Sequence, residues 1–162
     1  MTTWMLQGNP DKYDIDSALL NYNPIFWIMG KPASARDVEH AELGDRVFMW
    51  RSAGKQHVDS GVVAVGTLIG LPITKNRRDI RGSHLWTKPP VDPVSFVAEI
   101  EIADKRLSKA AGMLLSEDLK VDSVLSRLWV IRFAQGTTYT IEPEEESRLI
   151  DLWHSKSAQP RR

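Results

Sequence analysis

The sequence predicts an α+β fold: about six strands in a mixed sheet or small barrel, with a few short helices packed outside. Three observations carry that expectation. Apolar residues recur with a period of two, or as β-branched runs, in segments spread along the whole chain. Clear helix-start signals occur only near the two ends. Strand and helix segments do not alternate strictly, which argues against a doubly wound parallel sheet. The length of 162 residues fits one domain.

Each element follows from local chemistry. Thr3–Gln7 is a short apolar strand, stopped by the turn signal Gly8-Asn9-Pro10. Asp14–Tyr22 reads as a helix with an Asp near its start and Leu19 and Leu20 turned inward. Ile25–Met29 is a second strand. Arg46–Ser52 is a third, with Val47 and Met49 on one face and Phe48 and Trp50 on the other. Gly54 to Gly61 closes a polar hairpin loop. Val62–Ile69 is a β-branched strand, and Gly66 and Gly70 in or beside it suggest a bulge or a close backbone approach. Lys75–Lys88 reads as a long basic loop. Phe96–Ile102 alternates as a half-buried strand, and Leu107–Leu125 suggests short helical turns. Leu128–Phe133 and Thr137–Ile141 read as strands around Gly136. Pro143–Trp153 is the clearest helix, with Pro143 at its first position and three Glu in the first turn, where the helix dipole favours them.

Composition excludes several classes of function. Cysteine is absent, which removes disulfide scaffolds, zinc-thiolate sites and cysteine nucleophiles and fits a cytoplasmic setting. Lys+Arg and Asp+Glu are both 21, so bulk positive charge does not recruit nucleic acid, although a local basic patch remains open. No apolar run suits a membrane span, and the first residues do not resemble a signal peptide, so no membrane partner is expected. There is no P-loop, no G-x-S-x-G, no G-x-G-x-x-G and no H-E-x-x-H. His40, His57, His84 and His154 fall at no metal-ligand spacing, so neither metal nor cofactor is expected. His57 and His154 read as solvated. His84, in the basic loop, is either solvated or a ligand contact. Asp14/Asp16 and Glu99/Glu101 fit a helix start and an outer strand face as well as they fit acid–base pairs. Nothing here requires an enzyme.

Six Trp against three Tyr and four Phe is the unusual figure. Trp4, Trp129 and Trp153 read as core. Trp27, Trp50 and Trp86 sit at strand ends or in the basic loop, and there two readings stay open. They are further core, or they line one pocket that stacks on a planar group, as flipped bases are held. The loop residues Lys75, Arg77, Arg78, Arg81 and Lys88 are either a solvated connection or contacts to nucleic-acid phosphates.

Several segments resemble the EVE domain family. They are Trp4 to Asp14 with its Gly-Asn-Pro, Phe26-Trp27, Gly44-Asp45-Arg46-Val47-Phe48-Met49-Trp50-Arg51-Ser52, Gly61 to Gly66, and Ile131 to Thr137 with the Glu-rich last helix. The resemblance covers roughly residues 3 to 154. It rests on the order and spacing of these segments together. It implies a PUA-like fold over residues 1–154, a mostly antiparallel barrel with outer helices, followed by a flexible tail, 155–162. It also implies a relation to YTH domains, which hold N6-methyladenine in an aromatic cage. The implied function is a non-enzymatic reader of a modified base, 5-methylcytosine or 5-hydroxymethylcytosine in DNA, that flips the base into a cage. Some EVE domains are fused to nucleases in modification-dependent restriction, so a nuclease domain or subunit is an implied partner.

Carried onto this sequence, Trp27 matches the cage Trp. Gln7, Gly8 and Asn9 match the turn that faces the base edge. Trp50 and Ser52 match the strand beside the pocket, and Trp86 is a weaker match for the second wall. Ile28 departs from the small polar residue of YTH domains, which disfavours N6-methyladenine. Two alternatives remain: a PUA-like module for a modified RNA base, and an enzyme acting on a small nucleotide, which should show an Asp or Glu converging on Trp27.

Overall fold

The computed structural model describes residues 1–30, 38–87 and 94–157. Lys88 and tail residues 158–162 lie outside them. The strands are β1 (Thr3–Gly8), β2 (Ile25–Gly30), β3 (Arg46–Arg51), β4 (Gly61–Asn76), β5 (Val94–Lys105), β6 (Leu114–Leu115) and β7 (Thr138–Ile141). The helices are α1 (Ile15–Asn21), α2 (Ser116–Leu119), α3 (Trp129–Arg132) and α4 (Pro143–Ser157). The strand order is β2-β5-β4-β3-β1-β7, with β6 paired to β4. β1 runs parallel to β3, and the other pairings are antiparallel. The sheet curls into a half-barrel with short helices outside, the expected α+β, PUA-like architecture.

The β3 alternation places Val47 and Met49 in one core and Phe48 and Trp50 in another, because both faces of the sheet are covered. α1 contributes Ile15, Ala18 and Leu19 to the first core. α4 contributes Leu149 and Trp153 to the second. Asp14 caps α1, accepting from the Ser17 N–H at 3.1 Å. Asp45 is fully buried and ties the N-terminal strand to the turn before β3. Its carboxylate accepts from Trp4 Nε1 at 3.0 Å, Glu42 N at 2.9 Å and Thr2 N at 3.2 Å. Arg51, only 3% exposed, donates to the carbonyls of Asp59 and Leu107 and to the Asp16 carboxylate.

Five expectations need correction. Leu20, expected to turn inward with Leu19, is 61% exposed, because Ile15, Ala18 and Leu19 form the buried face of α1. β4 does not stop at Ile69 but runs 16 residues, to Asn76. Register shifts at Val65/Gly66, Leu68/Gly70 and Gly70/Ile73 carry it past Gly70 and Pro72, so the glycines do mark bulges and the proline falls in an irregular stretch. The Lys75–Lys88 stretch begins in β4 and continues through short 3-10 turns at Arg77–Asp79 and Ser83–Leu85. Leu128–Phe133 is not a strand; it contains the single helical turn α3, and Trp129 is 44% exposed rather than core. The last helix continues through Ser157, past the residues at which the tail was expected to start.

Candidate functional site

Parallel pairing of β1 with β3 sets Gly8 opposite Arg51, so both strands end at one side of the sheet. Ser52 follows there. Its N–H donates to the Gly8 carbonyl at 3.0 Å, and its hydroxyl reaches the same oxygen at 3.3 Å. Asn9 then turns the chain: its Oδ1 accepts from Asp11 N, and its carbonyl accepts from Lys12 N and Tyr13 N. The segment leaving this turn pairs with the one around Trp86. Thr87 N donates to Lys12 O and Asp14 N to Leu85 O, both at 3.0 Å. Tyr13 and Trp86 form a bridge between them.

This backbone brings three aromatic rings together. Tyr13 meets Trp27 edge-on at 5.7 Å between centroids and Trp86 at 4.7 Å, tilted by 51°. Trp27, 7% exposed, lies against Gly8. A Cβ on Gly8 would stand 2.9 Å from Cη2 of that indole, so only glycine leaves the ring its place. Burial, with Tyr22 and Asp14 adding negative charge nearby, pushes the Tyr13 phenol up to about 12. The Arg77 guanidinium stands 5.4 Å from the Trp86 ring centre, and Arg77 Nε donates to Ser95 Oγ at 2.6 Å. Trp86 Nε1 is buried without a hydrogen-bond partner among the described residues.

The end strands β2 and β7 of the sheet are not paired with each other, but Thr138 Oγ1 bridges to Met29 O at 2.9 Å. Beside this incomplete seam lies an open cavity of about 830 Å³. β2 lines one wall with Phe26, Trp27, Ile28 and Gly30. Gln7, Gly8, Asn9 and Ser52 line another. Lys12, Tyr13, Arg77, Ile80 and Trp86 contribute from the loops, and Ala134, Gln135, Gly136 and Thr137 from the segment before β7. That rim is fixed by Gln7, whose Nε2 donates to Ala134 O at 2.7 Å and Gly136 O at 2.6 Å, and whose N–H donates to Thr137 O at 2.8 Å. Gln7 therefore presents Oε1 as its acceptor end. Asn9, with Oδ1 engaged, presents Nδ2 as its donor end. No Asp or Glu lines the cavity among the described residues, and no cluster of metal ligands occurs there.

Of the residues expected to bind the base, the cavity gathers Gln7, Gly8, Asn9, Trp27, Ser52 and Trp86. Trp50 is not among them. It is 5% exposed and packs in the opposite core, because strand alternation turns it away from the face that carries Trp27. Of the basic residues, Arg77 lines the cavity. Lys75 stands 4.7 Å from the centre of the Phe26 ring, and Phe26 lines the cavity. Arg81 donates to Pro24 O and lies 6.0 Å from the Tyr22 ring centre, and Arg78 is exposed, both outside the lining. Lys88 lies outside the described residues. Tyr13, Lys12 and the Ala134–Thr137 rim were missed as site residues. Tyr13 is the first aromatic after the Gly8-Asn9-Pro10 turn, three residues beyond Pro10, and that was the available signal.

No family model matches the sequence, and no curated protein matches it. Solved structures match its fold. A hypothetical protein from Leishmania major superposes with a TM-score of 0.71 at 14% identity, over 97% of either chain. Human THYN1, solved in complex with DNA containing 5-methylcytosine, gives 0.67 at 9% identity, over 99% of this chain and 100% of its own. The Mmi1 YTH domain, solved with RNA, gives 0.51 at 12% identity, over 95% and 78%. At such identities the likeness speaks to the fold. The curled sheet, its outer helices and these superpositions give the chain a PUA-like fold.

Proposed function

We propose that this domain binds nucleic acid without chemistry and reads one modified base, turned out of its stack into the cavity beside the seam. The observation that carries this reading is the cavity itself. It has the volume of a small-molecule site, an aromatic group of three rings, polar residues along one wall and no carboxylate among its described lining residues. An extruded base needs an apolar face to stack on and fixed partners for its edge. Trp27 and Trp86 offer the faces. Gln7 Oε1 offers an acceptor for an exocyclic amine, and Asn9 Nδ2 a donor for a ring nitrogen or carbonyl. Among the described residues the buried Trp86 N–H has no acceptor, an unmet donor that costs about 1–3 kcal/mol at this wall.

Cytosine carries such an edge, an amine beside two acceptors. Ile28 gives the lining an apolar branched side chain suited to a methyl group. These features favour 5-methylcytosine or 5-hydroxymethylcytosine. DNA is favoured over RNA because the superposition on human THYN1, bound to methylated DNA, is better than that on the RNA-bound Mmi1 YTH domain. The same reading makes the domain a candidate specificity part of a modification-dependent restriction system, beside a nuclease domain or subunit.

The test measures binding of short duplexes carrying cytosine, 5-methylcytosine, 5-hydroxymethylcytosine or N6-methyladenine at one fixed salt concentration. Matching RNA is run in parallel. Trp27→Ala is a poor control, since emptying that buried site costs about 3–5 kcal/mol. Ile28→Trp fills the cavity from its edge strand instead. Preference for one modified duplex, lost in Ile28→Trp, is expected. Equal binding of all duplexes would sink the reading, and preference for the modified RNA would transfer it to RNA.

A further inference from the structure

Large aromatic side chains left in water are more informative than buried ones. Trp129 and Phe133 are 44% and 58% exposed. They stand one helical turn apart, where residues four positions apart face each other, and their rings stack at 5.2 Å with 30° between planes. The Arg132 guanidinium lies 5.1 Å from the Trp129 ring centre. The neighbours Leu128 and Val130 are buried in the second core, so α3 is anchored by one side and offers its aromatic pair on the other. The pair is also tied to the cavity. Phe133 is followed directly by Ala134, the first rim residue. The Phe133 carbonyl accepts from the Tyr139 hydroxyl, and Gln7 holds Ala134 and Gly136.

Resting on the base-reading function proposed above, we infer that Trp129 and Phe133 form a second stacking platform, which receives the base next to the one in the cavity. Aromatic faces stack on any base, so the platform adds affinity without choosing sequence. Arg132 supplies positive charge where that nucleotide's phosphate passes. The site then spans at least two successive nucleotides, and a free nucleoside occupies only its cavity half.

The experiment compares 5-methyl-2′-deoxycytidine with the best-binding modified duplex, on the full chain and two variants. The pair Trp129→Ala, Phe133→Ala removes exposed rings, and Trp129→Phe, Phe133→Tyr keeps aromatic faces. The alanine pair is expected to weaken duplex binding on the order of 10- to 100-fold and to leave nucleoside binding unchanged. The aromatic pair should bind the duplex as the parent does. Unchanged duplex affinity in the alanine pair overturns the platform and leaves the cavity reading standing. Should Ile28→Trp still discriminate modified from unmodified duplex, the base does not occupy the cavity, and the platform as its neighbour's seat falls with it.

Discussion

Gly8→Ala tests whether the strand backbone holds the main stacking ring in place. The added Cβ would stand 2.9 Å from Trp27 Cη2, 3.1 Å from Cζ2 and 3.0 Å from Ile15 Cδ1. Ordinary contact begins near 3.4 Å, so the indole must retreat by at least about 0.5 Å. It is wedged between Gly8 and Tyr13, so the retreat disturbs the first core. Overpacking of this kind costs about 1–3 kcal/mol, against ~0.4–1 kcal/mol regained from a less flexible unfolded chain. The net expectation is a loss of about 1–2 kcal/mol, or roughly 2–8 °C in Tm for a domain of this size. Binding should weaken as well: losing about 1 kcal/mol of stacking is roughly fivefold in Kd. Urea unfolding and titration with the best-binding modified duplex measure the two effects. Gly66→Ala is the control, since its Cβ would meet the Glu101 carbonyl at 2.3 Å and Gly66 does not line the cavity. It should destabilise more and affect the site less. If Gly8→Ala unfolds and binds like the parent, the ring is not clamped by β1.

Three further outcomes follow from single observations. Asp45→Ala strips three donors of their buried acceptor and should cost about 2–4 kcal/mol in urea unfolding, with Asp45→Asn losing less because one oxygen still accepts. The Tyr13 phenol, raised to about 12 from 10.0, binds its proton more tightly folded than unfolded. Its contribution to stability is therefore complete below pH 10 and lost as pH rises through 12, and an absorbance titration of Tyr13→Phe should lack the latest phenolate step that the parent shows. Duplex affinity should fall with salt at a log–log slope between roughly −2 and −4.5, the value for about two to five phosphate contacts. A slope much steeper than that would reveal a second basic surface that the neutral chain does not suggest.

Most of the sheet was legible because its signals are local. An apolar run stopped by Gly8-Asn9-Pro10 placed β1, period-two alternation placed β3 and β5, an Asp at 14 or 16 announced α1, and Pro143 with three glutamates announced α4. What escaped depends on partners distant in sequence. The run Leu128–Phe133 is apolar but for Arg132, and periodicity cannot tell a short buried strand from one helical turn. Only its packing, with Leu128 and Val130 inward, turns Trp129 outward. Trp50 looked available beside Arg51 and Ser52. Yet Arg51 is itself buried, its guanidinium consumed by two carbonyls and Asp16, so polarity there marks an internal bond network rather than solvent. The Gly-Asn-Pro turn pointed to the cavity, but for a different reason than expected. Gly8 serves by having no side chain, and Asn9 Oδ1 serves the turn.

The cavity exists because the barrel does not close. A sheet edge normally presents unpaired backbone groups that must be covered or used. Among the described residues β2 pairs with β5 and β7 with β1, and the gap beside them is lined by β2 and the end of β1 together with turn and loop residues. Gln7 decides how firmly that gap is held. Its backbone belongs to β1, its side chain grips Ala134 and Gly136, and the gripped segment carries the Trp129–Phe133 pair at its other end. Cavity wall, rim and exposed platform thus share one support. A base in the cavity and its neighbour on the platform would meet surfaces already fixed relative to each other, so less ordering entropy is lost on binding than two independently mobile loops would require.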